Sequence, residues 1–498
     1  MTPIGTTKTS TASRKELTTM SPHKTLITGG EVLVGDPLTA TMIRADVLIE
    51  GGAITAISAN LPQQDAHVVD AAGRWIVPGF VDAHRHLWQT TMRGLTANWN
   101  LTDYYWNIRN HFAGLHDADD VFAGQYAGGL DALAAGVTTT IDHSHITNSP
   151  EHSDAAVEGV KASGVRALWC YGFFPSPMAD PPFTSPADRF DDARRIRTTH
   201  FASDDGLVRM GVALTELGFL PFDVTRQEIE IGAELDIAVT MHSRCVWSEP
   251  RVNDVEILSR AGLLRSGQIH SHANMCSETD LALLRDTGCA VASTPDTELE
   301  MGCGLPIFRR AAEAGVTAGI GADIVSNNSG DFFTAMRLLM QAERGVALQP
   351  VLEKSGLAGV GKLPVTTRQV LRAATLSGAE ALGLGATCGS VEVGKAADLL
   401  LLRNDRLHLR PVIDPVDSIV MQTTTRDIDK VLVNGRVVVD NGSLPAEVER
   451  RGIDLIEAAH QRIAERVAGI GGWRLPIPPG LIEALGHTID GNLAAVAR

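Results

Sequence analysis

A chain of 498 residues is too long for one compact core and calls for a large domain with a smaller companion. Its 44% apolar and 20% charged residues are those of an ordinary globular protein, and no apolar run is long enough to span a bilayer. A net charge of −16 argues against a nucleic-acid partner, because phosphate binding needs a basic surface.

Residues 1–20 are rich in Ser and Thr without an apolar segment, so they read as a disordered tail rather than a secretory signal. From 21 to 78, runs such as TLITGGEVLV and ADVLIEGGAITAI, broken by Gly-Gly and Pro-Gly, predict short strands. The same texture returns over 385–445, so both chain ends are expected to build one small β-sandwich domain. Over 79–384, short apolar strands from GVTTTID to VTAGIGAD alternate with helix-like stretches, which predicts a closed α/β architecture of the TIM (β/α)8 barrel type. Residues 446–498 form a C-terminal extension in which Ile453, Ile456, Ile463 and Val467 recur at helical spacing, the pattern of a packed amphipathic helix. The six cysteines, Cys170, Cys245, Cys276, Cys289, Cys303 and Cys388, include no C-x-x-C pair and fit a reduced cytoplasm.

The 16 histidines are not scattered evenly: His84/His86, His143/His145 and His270/His272 form three H-x-H pairs at predicted strand ends. Alternate side chains of a strand share a face, so each pair sends two imidazoles into one space. A lone strand-end His is more often a satisfied polar residue, but VPGFVDAHRH combines Pro-Gly, Asp82 and the pair directly after an apolar strand.

That segment resembles the first barrel strand of the amidohydrolase superfamily, in the branch of cytosine, guanine and S-adenosylhomocysteine deaminases and triazine hydrolases. The likeness continues in order through QTTMRG, GVTTTIDHSH, AVTMHS, GADIVSNNSG and GSVEVGKAADLLLL. It implies a distorted (β/α)8 barrel with one divalent ion, zinc first, with iron, manganese or cobalt also suited, on His84, His86, His242 and Asp323. It further implies that Asp323 relays a proton and that His272 contacts the attacking water or the polarised atom of the substrate. Three imidazoles and a carboxylate can hold a divalent ion and leave room for a water. The segment GLVRMGVALTELG, read as the fourth barrel strand, carries no Lys to bridge two ions, so one ion is expected. Relatives are often dimers or tetramers, and a homodimer or homotetramer acting on a small molecule is expected, with no membrane partner.

Two departures bear on the reaction. The deaminases' H-x-x-E motif reads His242-Ser243-Arg244-Cys245 here, and Ser293 stands where relatives often carry His. A thiol is a poor proton shuttle unless its pKa is low. The leading expectation is metal-activated water hydrolysing a non-peptide C–N bond: an amide, carbamate, urea or amino-heterocycle. A ring-forming condensation on the same site and a non-catalytic scaffold are the alternatives. Trp88, Gln89, Arg93, His143, His145, Cys245 and His272 are the candidate substrate contacts. Trp88, Tyr104, Tyr105 and Trp106 either stack on a flat substrate or pack their loop. Arg93 either pairs with an anionic substrate group or closes an internal salt bridge. Asp82 is expected to support the first H-x-H pair, SNNSG (326–330) to shape a turn and cap the next helix, and DADD (117–120) to start a helix in solvent.

Overall fold

The computed structural model describes residues 24–244, 253–359 and 361–496. Eight parallel strands pair in sequence order: β1 (Phe80–Asp82), β2 (Val137–Ser144), β3 (Arg166–Gly172), β4 (Val208–Ala213), β5 (Ala238–Ser243), β6 (Gln268–His272), β7 (Ala290–Ser293) and β8 (Thr317–Ile320). β1 has only three residues, and its junction with β8 is made by single backbone bonds. Ala83 N–H donates to Ile320 O and Asp323 N–H to His84 O, each at 2.8 Å. This distorted (β/α)8 barrel is filled by small and branched side chains, among them Val81, Ala83, Ile141, Cys170, Ala213, Ile269 and Ala292. Such a plug leaves only the carboxyl ends of the strands open to a ligand.

Strands from both chain ends join in a second, separate sheet. Leu399–Arg403 pairs antiparallel with Arg74–Pro78 and Ile428–Val433, which ties the segments across the barrel. The long strand Lys24–Val34 pairs with His67–Asp70 through its first half and with Arg74–Pro78 through its second. Its register breaks between Ile27 and Gly30, where Gly29 takes φ +78°. The sheet has its own core of Ile27, Val32, Val47, Ile54, Ile76, Leu399 and Leu401.

The C-terminal helix Ala446–Gly469 buries Val448, Gly452, Ala459, Ile463 and Val467. Ile453, predicted on the packed face, is 49% exposed, because Gly452 and Ala459 make the close approach instead. The DADD segment does start a helix, with Asp117 as N-cap of Ala118–Ala134. Asp120 is nevertheless fully buried, held by Arg462 at 2.6 Å and Arg466 at 2.5 Å from that C-terminal helix. No helix among the described residues is long and apolar enough to cross a membrane.

Candidate active site

The carboxyl ends of β1, β5, β6 and β8 bring four histidines and one aspartate together. Ring centroids lie 4.8 Å apart for His84 and His86, 5.1 Å for His84 and His242, and 5.4 Å for His242 and His272. Each ring is fixed through Nδ1 by a different group. Ser271 Oγ lies 2.7 Å from His84, His143 O 2.6 Å from His86, Glu216 Oε1 3.1 Å from His242 and Thr294 Oγ1 2.9 Å from His272. With Nδ1 engaged, each Nε2 is left for the interior, the usual arrangement of imidazoles that bind metal. His84 Nε2 and His86 Nε2 lie 3.4 and 3.3 Å from Asp323 Oδ1.

Several features suit this cluster to a divalent cation. His84 Nε2 is buried and has no hydrogen-bond partner among the described residues. Burial holds the pKa of His84 well below its ordinary value and that of His242 at about 4, so both rings are neutral, as ligands must be. Burial alone would raise the Asp323 carboxyl, but His84 and His86 hold it far below the usual carboxylate range. Among the described residues three donor sets have atoms within 4.8 Å of one another: His84/His242/His272, His86/His145/His242 and His84/His86/Asp323. Asp323 and His272 also adopt positive φ, +61° and +68°, a conformation non-glycine residues rarely hold without a compensating role.

A narrow cavity of about 50 Å³ opens beside the cluster, with His86, His242, His272 and Asp323 in its wall. Tyr104, Tyr105, Phe219, Met301 and Ile324 make half of the remainder, and Leu101, Thr297 and Cys303 add to it. The charged exception outside the cluster is a pair absent from the sequence-derived candidates, Arg109 and Glu216. Arg109 Nη1 lies 2.9 Å from Glu216 Oε1 and Nη2 3.3 Å from Oε2, while the guanidinium sits 4.1 Å from the centre of the Phe174 ring. Burial would raise the Glu216 carboxyl, but Arg109 and His242 together depress it below the usual range. Arg109 lies on Tyr105–Phe112, a stretch of π-helix, a rare geometry often found at functional sites. Behind His272, the fully buried Glu298 accepts from Thr294 N (2.8 Å) and Ser293 Oγ (3.1 Å), and its Oε1 lies 3.8 Å from His272 Nδ1. Burial works against protonating His272, yet Glu298 and Asp323 more than offset it and its pKa is raised.

The other sequence candidates fall elsewhere. Trp88 is fully buried with its ring edge-on to His116 (5.2 Å) and does not line the cavity, since its short 3-10 segment turns it into the core. Gln89 braces the wall, its Nε2 donating to Tyr104 Oη (2.6 Å) and its Oε1 accepting from Ser326 Oγ (3.2 Å). Arg93 is 44% exposed and pairs with Asp131 at 3.1 Å, the internal salt bridge of the two readings. His143 and His145 are buried against the cluster but are not in the cavity wall. Cys245 lies outside the described residues. Asp82 Oδ1 accepts from the backbone N–H of His84 (3.2 Å) and Ala322 (3.0 Å), clamping the first strand to the last. Burial pushes its pKa up to about 7 against the pull of Arg85. The Ser-Asn-Asn segment shapes its turn, with Asn328 Oδ1 accepting from Gly330 N, but the helix Phe332–Ser355 is capped by Asp331.

The family described as "Amidohydrolase family" matches residues 75–438. A 5-methylthioadenosine/S-adenosylhomocysteine deaminase of Acetivibrio thermocellus is 26% identical over 80% of this chain and 88% of its own. A 5'-deoxyadenosine deaminase of Methanothermobacter thermautotrophicus is 27% identical over 88% of this chain and 99% of its own. Among solved structures, an adenosine deaminase from Xanthomonas campestris with bound zinc superposes with TM-score 0.77 at 22% identity, covering 89% of this chain and 99% of that one. Atrazine chlorohydrolase from Arthrobacter aurescens TC1 complexed with zinc gives TM-score 0.72 at 23% identity, over 86% of this chain and 99% of that one.

Proposed function

The chain belongs to the amidohydrolase family, and on that footing we propose that it is a metal-dependent hydrolase of a non-peptide C–N bond in a small, planar nitrogen compound, an amino-heterocycle foremost. The observation that carries the reading is the convergence of His84, His86 and His242 with Asp323, each ring aimed by its own Nδ1 partner, beside an aromatic cavity. These four residues would hold one divalent ion, and zinc accords with the zinc-bound structures of the adenosine deaminase and the chlorohydrolase. When bound, such an ion supplies Lewis acidity that lets a water lose a proton near neutral pH.

The remaining chemistry lies with the chain. Asp323, kept ionised by its imidazole neighbours, accepts the proton of the attacking water and hands it to the departing nitrogen. His272, held through Nδ1 by Thr294 and favoured in its charged form, donates from Nε2 to the atom that gains negative charge. Tyr104, Tyr105 and Phe219 exclude water and suit a flat ring. A cytoplasmic setting accords with the five described cysteines, all free thiols.

Ammonia or amine release, measured across amino-heterocycles, amides and carbamates on metal-stripped and metal-loaded protein, tests the reading. Release should depend on metal and be lost in Asp323→Asn. Release that survives metal removal, or none from the loaded protein across all three classes, refutes it.

A further inference from the structure

The second H-x-H pair, His143/His145, has no part in the chemistry above, yet the fold lays it directly alongside the first. β1 and β2 are parallel with Asp82 opposite Thr140, and beyond the ladder His143 N–H donates to Arg85 O at 2.8 Å. The two motifs therefore run side by side, and the two-residue period sends all four rings to the same face. His145 lies 4.2 Å from His86 and 5.6 Å from His242, centre to centre.

His145 differs from the four anchored histidines. It is 1% exposed, and neither of its ring nitrogens has a hydrogen-bond partner among the described residues. An imidazole sealed from water keeps an unused lone pair only at a cost, unless something occupies the space it faces. One of its nitrogens lies within 4.8 Å of ligand atoms on both His86 and His242. Those two rings have Nδ1 occupied by His143 O and Glu216, so their contribution is Nε2. The same His86 Nε2 is 3.3 Å from Asp323 Oδ1. A ring nitrogen gives its lone pair to a single ion, so the set His86/His145/His242 and the set His84/His86/Asp323, which share His86, describe one ion rather than two, while His272 is assigned to the substrate and not counted as a ligand.

We propose that His145 is a further ligand of the metal ion, joining His86 and His242, so that paired H-x-H motifs on neighbouring strands hold it. This rests on the reading that the site binds metal. With His84 and Asp323 the shell then has five protein donors, one more than a closed tetrahedral zinc site. His143, whose ring nitrogens also lack a hydrogen-bond partner among the described residues, is not included because they fall in none of the three sets.

The test counts imidazoles around the ion by X-ray absorption in wild type, His145→Gln and His143→Gln, with chelator competition for affinity. Wild type and His143→Gln should show four imidazoles, and His145→Gln three, with affinity weakened by at least about tenfold. Three imidazoles in the wild type overturn the inference even if no variant folds. So does a His145→Gln protein that binds metal within about twofold of wild type. A wild type that takes up no ion overturns the hydrolase reading with it, whereas a three-imidazole ion overturns this inference alone.

Discussion

Replacing Glu216 with Gln should expose two separate functions of one carboxylate. In the native protein Glu216 Oε1 faces both His242 Nδ1 (3.1 Å) and Arg109 Nη1 (2.9 Å). The Arg109 side chain is only 5% exposed, so a neutral amide leaves its charge buried without compensation. Breaking a buried pair from one side costs about 3–5 kcal/mol, and this should appear as lost stability of the metal-free protein in urea unfolding. The other effect concerns the metal. A carboxylate behind a metal-binding imidazole is worth about 10- to 100-fold in affinity, or about 1.4–2.7 kcal/mol, which chelator competition reads directly. The double replacement Arg109→Met with Glu216→Leu separates the two, because removing both charges restores most of the stability while His242 still lacks its partner. If Glu216→Gln leaves apo stability within about 0.5 kcal/mol of wild type and metal affinity unchanged, the ion pair is surface-like and this account of the site fails.

Three further outcomes follow from the same geometry. Thr294→Val cuts the link between His272 Nδ1 and Glu298, so kcat should fall by about 10- to 100-fold with metal content intact, and a kcat within twofold of wild type would show that this link does not position His272. Burial pushes the pKa of Glu228 up to about 8, against 4.5 for the free side chain. The unfolded chain ionises first, so native stability is lost as pH rises from about 4.5 to about 8, by up to about 1.4 kcal/mol per unit. Glu228→Gln should therefore flatten denaturation midpoints across that window, and parallel curves for the two proteins would rule this out. Turnover in ¹⁸O-water should place solvent oxygen in the product, whereas product formed by loss of water would identify the ring-forming reaction instead.

What the sequence made legible follows from periodicity. Seven apolar runs between helices predicted the strands that became β2–β8, and the two-residue alternation of a strand was enough to set His84 beside His86 and His143 beside His145. Single residues carry no such period. Glu216 on a loop, Arg109 on a π-helical stretch and Glu298 on the short helix Pro295–Glu300 belong to no repeating pattern, and only the closed barrel shows what they face. Position was the one available signal for Glu216. It follows β4 by three residues, at the same carboxyl-terminal edge that marked the histidines, yet a lone Glu there has no pattern to separate it from a solvated one. The aromatic stretch was harder still, because its partition depends on helix geometry. Tyr104 and Arg109, five residues apart, both reach the cavity where the backbone widens to π-helix, while Trp88 turns inward. The same geometry bears on the departure at Cys245. Among the described residues the cavity wall has two carboxylates, Asp323 after β8 and Glu216 after β4, and Glu216 is committed to Arg109 and His242. Proton traffic in the proposed reaction therefore concentrates on Asp323 and His272, which are also the two wall residues of the cluster held at positive φ. Strain at those two positions is the cost of aiming both groups from strand ends into one small space.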